Sequence, residues 1–153
     1  MNPKDIYPDI LKDIKLMQLA SVRDNKPWMC NVWYVMDEDH NVYWISRETR
    51  RHSLEIEDNP YVAATIHPWF DKGLVNDPGQ AMILSGQAKQ LSGEECLMPY
   101  ELYAERFPKL HEFQSLDKFL NDEGHHYFYK ITPDEIIWWD EINFPENPKQ
   151  EVK

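Results

Sequence analysis

The feature that most constrains the fold is a run of short β-prone segments separated by turn residues. Stretches rich in β-branched and aromatic residues alternate with turns such as residues 24–27 and 37–41, a pattern typical of hairpins. Strands are predicted over residues 17–23, 28–36, 42–46, 61–67, 80–91, 127–132 and 136–140. Many short antiparallel strands indicate a barrel or sandwich and not a doubly wound sheet. The sequence therefore predicts an all-β dominated fold of about seven antiparallel strands, with peripheral α-helices.

Helices are predicted singly between these strands. A short charged segment over residues 50–58 ends at Asn59-Pro60, which is typical of a helix stop. Ser92 and Glu95 have the spacing of a capping box, so a helix should follow as far as about Phe107. Further helices are expected before residue 17 and over residues 115–121. Within the fifth strand, Gly86 predicts a bulge or a close approach of another backbone.

Length and composition limit the class of protein. The 153 residues, 42% of them apolar, suffice for one domain with a real core, which excludes a disordered chain or a disulfide-stapled miniprotein. We expect this domain to span residues 1–142 and the proline-containing residues 143–153 to form a loose tail. The distant Cys30 and Cys96 suggest neither a disulfide framework nor a zinc ribbon. With neither a secretory segment nor a long apolar stretch recognised, we expect a cytoplasmic protein without a membrane partner.

The charge balance excludes other partners. A formal net charge of -11 repels nucleic acid and anionic membranes, because both are bound by neutralising phosphates with Lys and Arg. Three of the five arginines nevertheless fall together, at Arg47, Arg50 and Arg51. Any phosphate that this protein binds should therefore bind at this local cluster of positive charge.

The basic cluster lies where a strand runs into a helix. The N-terminus of a helix offers unpaired N–H groups and the positive end of its dipole. Hydroxyl and cationic donors are added there by Ser46, Arg50, Arg51 and His52. Together they predict a site for a terminal phosphate. The alternative is a solvated surface on which the arginines pair with neighbouring glutamates.

The order of strand, serine, basic pair, short helix, Asn-Pro and strand resembles the FMN-phosphate segment of the pyridoxamine 5'-phosphate oxidase superfamily. The resemblance implies a split β-barrel in which Ser46, Arg51 and His52 hold the flavin phosphate, with Arg50 as a helper. It also implies that Asn31, Val32 and Trp33 on the second strand face the isoalloxazine.

Other segments extend the resemblance. They are Leu19-Ala20-Ser21-Val22, Ser85-Gly86-Gln87-Ala88, Ile131-Thr132-Pro133-Asp134 and Trp138-Trp139-Asp140. The family relationship implies a homodimer with each flavin in a groove between two barrels. A loop over residues 68–79 is long enough to suggest function, and its Trp69 is a candidate to cover the flavin, although an aromatic core plug is the alternative.

The chain departs from the oxidase itself. The basic pair expected on the second strand is absent from Trp28-Met29-Cys30-Asn31-Val32-Trp33, and the segment Trp138 to Ile142 lacks the W-x-x-R-P arginine that grips the vitamin phosphate. The chain thus looks more like the short FMN-binding branches, such as general-stress flavoproteins. The expected function is an FMN-dependent oxidoreductase that takes electrons from NAD(P)H or another donor and reduces a small aromatic acceptor. The alternatives are a flavin-binding sensor or storage module without turnover, and a haem- or deazaflavin-binding relative.

Catalytic and metal-binding residues are harder to find. In a flavoprotein the redox chemistry belongs to the cofactor, so the fold demands no catalytic acid or base and none is assigned. His111-Glu112 lacks the second histidine of a zincin, and the adjacent His125 and His126 would point to opposite faces of a strand. No metal site is therefore predicted. Cys30 lies in an apolar strand and is expected to be an inert thiol.

Overall fold

The computed structural model of the chain describes residues 1–68 and 77–153, and its architecture is a closed antiparallel barrel. The strands are β1 Leu16–Arg23, β2 Lys26–Met36, β3 Val42–Ser46, β4 Tyr61–Ile66, β5 Gln80–Gln90, β6 Tyr127–Asp140 and β7 Lys149–Glu151. Their order is β3-β2-β1-β4-β5-β6-β7, and a further pairing of β3 with β6 closes six of them into a barrel. The seventh strand lies outside, on β6. This confirms the predicted fold class.

The first hairpin follows directly from its turn residues. Arg23 pairs with Lys26, so the turn consists of the two residues Asp24 and Asn25. Their φ angles of 51° and 60° are those of a type I′ turn, which Asn and Asp tolerate better than most residues. This turn matches the twist of the strands and sets the register of β1 against β2.

The last long strand differs from the prediction of two strands. Residues 127–140 form one continuous β6, which runs through the predicted break at Pro133. The register shifts at Gly86 of β5, which pairs with Pro133, so the residue without an N–H lies at an irregularity in the ladder. A Cβ at Gly86 would lie 2.7 Å from Pro133 Cα, which explains the glycine. The predicted close approach at Gly86 is confirmed.

The C-terminal residues also differ from the expected loose tail. Lys149–Glu151 pair with β6, and Phe144 and Val152 pack against the core. The anchor is the buried Asp140, whose carboxylate accepts hydrogen bonds from Trp138 Nε1 at 2.9 Å and from Asn143 N at 2.9 Å. Periodicity did not reveal this strand because it is only three residues long.

Helices close the barrel end and cover one of its sides. They are α1 Tyr7–Leu11, α2 Arg51–Asp58, α3 Leu97–Arg106, α4 Leu110–Phe113 and α5 Leu116–Leu120, with 3-10 turns at Pro3–Asp5 and Gly93–Cys96. The main core fills the barrel around Trp44 and Trp138, which are fully buried. A second core, centred on Phe128, joins β2, β3 and β6 to the helical segment α3 to α5. This segment forms one wall of the site described below.

Another part of the outer face of the barrel is apolar and exposed in the part of the chain that the structure describes. Paired residues on neighbouring strands share a face, and the register places one outward set across β1, β2, β4, β5 and β6. Its large members, each at least 36% exposed, are Leu16, Met29, Trp33, Tyr61, Ile83 and Trp139. Trp138 points inward and Trp139 outward, because consecutive residues of a strand point to opposite faces of the sheet.

Candidate functional site

A cavity of about 520 Å³ lies between the start of α2, strands β2 and β3, and the segment joining α3 to α4. It is lined by Asn31, Val32, Trp33, Ile45, Ser46, Arg50, His52, Tyr103, Phe107, Pro108, Lys109, Leu110 and Phe113. Six of the eight predicted site residues are in this set. The barrel therefore brings the residues that close β3 and open α2 together with the middle of β2.

A chain of three polar side chains forms the floor of one end of this cavity. His52 Nε2 lies 2.8 Å from Ser46 Oγ, and His52 Nδ1 lies 3.4 Å from Cys30 Sγ. Ser46 and His52 are each 8% exposed, so both are held firmly in place. The last residue of β3, the first turn of α2 and the centre of β2 are thus linked through one imidazole.

Electrostatics decide the proton positions along this chain. Burial and the nearby charge of Arg50 lower the pKa of His52, so the imidazole is neutral at pH 7. Burial, with the charge of Glu55, raises the pKa of Cys30, so its thiol keeps its proton. The thiol can then donate to Nδ1, and Nε2–H donates to Ser46 Oγ. In this arrangement the hydroxyl hydrogen of Ser46 makes only a long contact with the carbonyl of Arg47, at 3.5 Å, and can turn to an acceptor in the cavity.

The same end of the cavity attracts anions. Helix α2 begins after Arg50, and within the part of the chain that the structure describes no side chain caps its first N–H groups. These N–H groups and the helix dipole favour a negative charge at this position. The exposed Arg50 and Lys109 add two cations to the cavity lining. A chain of net charge -11 therefore presents a local site for an anion.

Arg51 makes its contacts outside the cavity, and the phosphate-binding role that the resemblance implied for it stays a prediction. Its Nε donates to Glu55 Oε1 at 2.7 Å, and its guanidinium carbon lies 4.1 Å from the centre of the Trp28 ring. Glu55 is 2% exposed and also accepts a hydrogen bond from Ser21 Oγ at 2.5 Å. Arg51 is not one of the described residues that line the cavity. For Arg51 the structure thus has the arrangement that the sequence offered as the alternative, in which an arginine pairs with a neighbouring glutamate.

Aromatic residues of the helical segment form the opposite wall, and the sequence did not point to them. The ring centres of Trp33 and Phe107 are 5.1 Å apart, and Tyr103 Oη donates to the carbonyl of Trp33 at 2.5 Å. Tyr103 and Phe107 are four residues apart and so share one face of a helix, which was a usable signal. That this face meets β2 could not be read from periodicity. The wall suits a flat ring system.

Other predicted candidates lie apart from this cavity or outside the residues that the structure describes. Trp69 lies outside the described residues. His126 Nε2 accepts a hydrogen bond from Arg47 Nε at 3.3 Å, and its ring centre lies 4.5 Å from that of Phe113 at the cavity wall. No cluster of three or more His, Cys, Asp or Glu side chains suited to a metal ion occurs within residues 1–68 and 77–153. In the same residues, no helix has the length and apolar character needed to cross a bilayer.

Comparison with known proteins agrees with this geometry. The family model described as pyridoxamine 5'-phosphate oxidase matches residues 4–140, most of the chain. No curated protein sequence matches the chain significantly.

Solved structures share the fold at low sequence identity. HutZ, a haem storage protein from Vibrio cholerae, is 16% identical with a TM-score of 0.70, covering 88% of this chain and 92% of its own. General Stress Protein 26 from Bacillus anthracis is 22% identical with a TM-score of 0.61, covering 90% and 94%. A candidate 5-nitroimidazole antibiotic resistance protein from Bacteroides thetaiotaomicron is 13% identical with a TM-score of 0.69, covering 87% and 81%.

Proposed function

Because the chain belongs to the pyridoxamine 5'-phosphate oxidase family, we propose that it binds FMN in the cavity between β2, β3, α2 and α3 and acts as an oxidoreductase on a small aromatic acceptor. The observation that carries the proposal is the two-ended character of this cavity. One end gathers anion-binding groups, and the other is apolar and aromatic. FMN has the same division between its terminal phosphate and its ring.

The residues fit the phosphate of FMN. Ser46 would donate its hydroxyl hydrogen in place of the long contact with the Arg47 carbonyl, Arg50 would supply the charge, and the uncapped N–H groups of α2 would complete the donor set. His52 would act indirectly, by orienting Ser46 through their hydrogen bond. A cavity of about 520 Å³ lies within the range of about 300 to 1,000 Å³ of small-molecule and cofactor sites.

The ring of FMN would lie along β2. Asn31 and Trp33 are exposed on the outward face of this strand, and the buried Val32 supplies backbone beside them. FMN, when bound, would supply the redox chemistry by accepting and passing on two electrons. The protein's own residues would hold the ring, exclude water with Trp33 and Phe107, and leave an apolar face for an acceptor. A similar fold in a candidate nitroimidazole resistance protein agrees with an aromatic acceptor.

A homodimer is part of the proposal. The exposed apolar set on the outer face of the sheet includes Met29, Trp33, Tyr61 and Trp139, and exposed apolar patches often mark protein–protein interfaces. Trp33 belongs both to this face and to the cavity lining, so a second copy on the face would border the cofactor site. Light scattering should give a dimer at micromolar concentration, and Met29→Glu should weaken it. Leu54→Glu, an exposed apolar residue on α2, is the matched control. A monomer that still holds FMN would contradict this part.

The assignment of FMN as the cofactor can be tested through its phosphate group, which riboflavin lacks. The purified protein should bind FMN about ten- to hundredfold more tightly than riboflavin, since one charge-assisted phosphate contact contributes about 1.5 to 3 kcal/mol. Equal affinity for the two flavins would remove the basis of the assignment. Anaerobic NADH or NADPH should bleach the bound flavin. Failure of both would favour a flavin-binding sensor or storage module without turnover.

Oxidation of pyridoxamine 5'-phosphate is not expected. A second phosphate would need cations beside the flavin, and residues 136–146 contain no Lys or Arg. Efficient formation of pyridoxal 5'-phosphate in an oxygen-dependent assay would contradict the expectation.

Haem is the second candidate cofactor. HutZ, of similar fold, is a haem storage protein, and in this chain a histidine, His126, adjoins the cavity wall at Phe113. Its Nε2 already accepts from Arg47, so a haem iron would have to displace that bond. The absorption spectrum of the protein after addition of FMN or haem separates the two, and it also distinguishes a deazaflavin.

A further inference from the structure

Strands β2 and β3 stop pairing at the point where the proposed cofactor cavity begins. The last residues that pair are Tyr34 of β2 and Trp44 of β3. Their neighbours on the far side, Trp33 and Ile45, both line the cavity. The fork between the two strands is therefore one border of the site.

The register of the two strands shows which backbone groups would otherwise meet at this fork. In an antiparallel ladder every second pair of residues exchanges N–H and C=O hydrogen bonds. The Asp37 N–H donates to the Asn41 carbonyl at 3.0 Å, next to the turn. Continued along the strands, the same alternation makes Trp33 and Ile45 a bonded pair. A regular ladder would therefore join the Trp33 carbonyl directly to the Ile45 N–H.

The hydroxyl of Tyr103 takes the place of that direct bond. Its Oη donates to the Trp33 carbonyl at 2.5 Å. Burial raises the pKa of Tyr103, and a hydrogen bond from the backbone N–H of Ile45 opposes the shift. One phenol thus accepts from β3 and donates to β2, so both backbone groups stay bonded although the strands do not pair there.

Helix α3 and the second core hold this hydroxyl in place. Tyr103 is 5% exposed. Its ring centre lies 4.8 Å from that of Phe107 and 5.6 Å from that of Phe128, which it meets edge-on. A ring packed on two sides in this way has little freedom to move. The position of the hydroxyl, and with it the separation of the two strands, is therefore set by the core.

We propose that Tyr103 is a positioning residue, whose hydroxyl keeps β2 and β3 apart and so shapes the end of the cavity in which the flavin ring would lie. It acts through the backbones of Trp33 and Ile45 and not on the phosphate end of the site. The effect on flavin binding rests on the proposed function, whereas the role of the hydroxyl between the strands does not.

The variant Tyr103→Phe removes the hydroxyl and keeps the ring, so the strands stay apart but lose the bridge between them. FMN and riboflavin should both bind about tenfold more weakly, by the same factor, because the ring end of the site is loosened and the phosphate end is unchanged. The visible circular dichroism of bound FMN at saturation should also change, since it reports how the ring is held. Unchanged affinities, or a loss confined to FMN, would overturn the proposal.

The matched control is Tyr43→Phe. Tyr43 is buried in the same second core and donates its hydroxyl hydrogen to Asp37 at 2.8 Å, but it is not one of the described residues that line the cavity. Both variants should lower the Tm, whereas only Tyr103→Phe should alter flavin affinity and the dichroism of bound FMN. Equal effects of the two variants on the bound flavin would mean that lost stability alone is responsible, and the proposal would be wrong.

Amide hydrogen exchange tests the fork in the flavin-free protein. The Ile45 N–H should exchange at least tenfold faster in Tyr103→Phe than in the wild type, measured relative to amides in the middle of β5, which follow overall stability. An Ile45 amide that exchanges no faster by this measure would overturn the proposal, even if flavin affinity fell. Faster exchange in a protein whose wild type binds neither flavin would support the role of Tyr103 between the strands and contradict the proposed function.

Discussion

Two polar clusters lie on either side of the start of α2, and they differ in whether the protein satisfies them. In the closed cluster, the buried carboxylate of Glu55 accepts from Ser21 Oγ at 2.5 Å and from Arg51 Nε at 2.7 Å. In the open cluster, His52 holds Ser46 Oγ at 2.8 Å, and Arg50 extends along the cavity. The side chains of the closed cluster bond to one another, whereas those of the open cluster line the cavity.

This difference separates residues that pair within the fold from residues that line the cavity, although they look alike in the sequence. Arg50 and Arg51 are adjacent and chemically identical, yet one lines the cavity and the other pairs with Glu55. Arg50 is the extended residue before α2 and Arg51 is the first residue of the helix, so the two side chains leave the backbone in different directions. What the start of the helix packs against decides which of the two side chains lines the cavity.

The largest expected effect comes from opening the closed cluster. Glu55→Ala should lower the free energy of unfolding by about 2 to 3 kcal/mol, because it removes a buried acceptor and leaves the Ser21 hydroxyl without its partner. The half-exposed Arg51 adds less, since water screens its side of the ion pair. Urea denaturation measures the change.

The control for this variant is on the same helix. Glu57 is exposed, so Glu57→Ala should change the free energy of unfolding by less than about 0.5 kcal/mol. Comparable losses in the two variants would show that the Glu55 cluster is not a structural one.

The next effect separates the two arginines. Arg50→Ala should weaken FMN binding by about 1.5 kcal/mol, roughly tenfold, and leave riboflavin binding unchanged, because the contact is to phosphate. Arg51→Ala should leave FMN affinity within about twofold and lower stability instead, because its partner is Glu55. Fluorescence titration with both flavins measures the affinities. The reverse ranking of the two variants would place the phosphate on the other side of α2.

The sequence was enough to predict which residues meet at the cavity, but not which of them pair within the fold. The order of strand, Ser46, basic residues and helix indicated that Ser46, Arg50 and His52 lie together, since these residues are close along the chain. Tyr103 and Phe107 were missed because their contact with β2 joins segments about 70 residues apart, and no local pattern encodes it. The fold was predictable from alternation and turns, except where β6 runs through Pro133 and where three residues of the tail add a strand.

A smaller effect is expected from pH, in a different range for each cluster. The folded protein keeps His52 neutral, since burial and Arg50 lower its pKa below the ordinary 6.5. The unfolded chain therefore binds the proton first, and stability falls as the pH drops below about 6.5. Burial alone would raise the pKa of Glu55, but Ser21 and Arg51 lower it, so its contribution is present above about pH 4.5 and is lost as the pH falls through the folded value.

Two variants show which residue causes the loss of stability in each pH range. Urea midpoints measured from pH 8 to pH 3.5 should decline in both ranges for the wild type. His52→Gln should flatten the upper decline, and Glu55→Gln should flatten the lower one. Since His40, His126 and Asp140 shift in the same directions, the difference between each variant and the wild type is the quantity to compare. A single decline altered equally by both variants would mean that the clusters are not independent.

The smallest expected effect is at Cys30, which touches the open cluster only through His52. Its protonated thiol donates to Nδ1, which leaves Nε2–H to donate to Ser46, so the Ser46 hydroxyl, whose oxygen lies 3.5 Å from the Arg47 carbonyl oxygen, can turn its hydrogen to a phosphate. In Cys30→Ala the imidazole can take its other tautomer, so Ser46 would donate to Nε2 and lose its hydrogen bond to the phosphate. FMN affinity should then fall about two- to fivefold, or less than about 1 kcal/mol, with riboflavin affinity unchanged. Cys30→Ser keeps a donor and should restore most of the loss. Because a mere packing defect would weaken both flavins and leave the tautomer as it was, ¹⁵N NMR of His52 decides between the two explanations, and an unchanged tautomer in Cys30→Ala would contradict the positioning role.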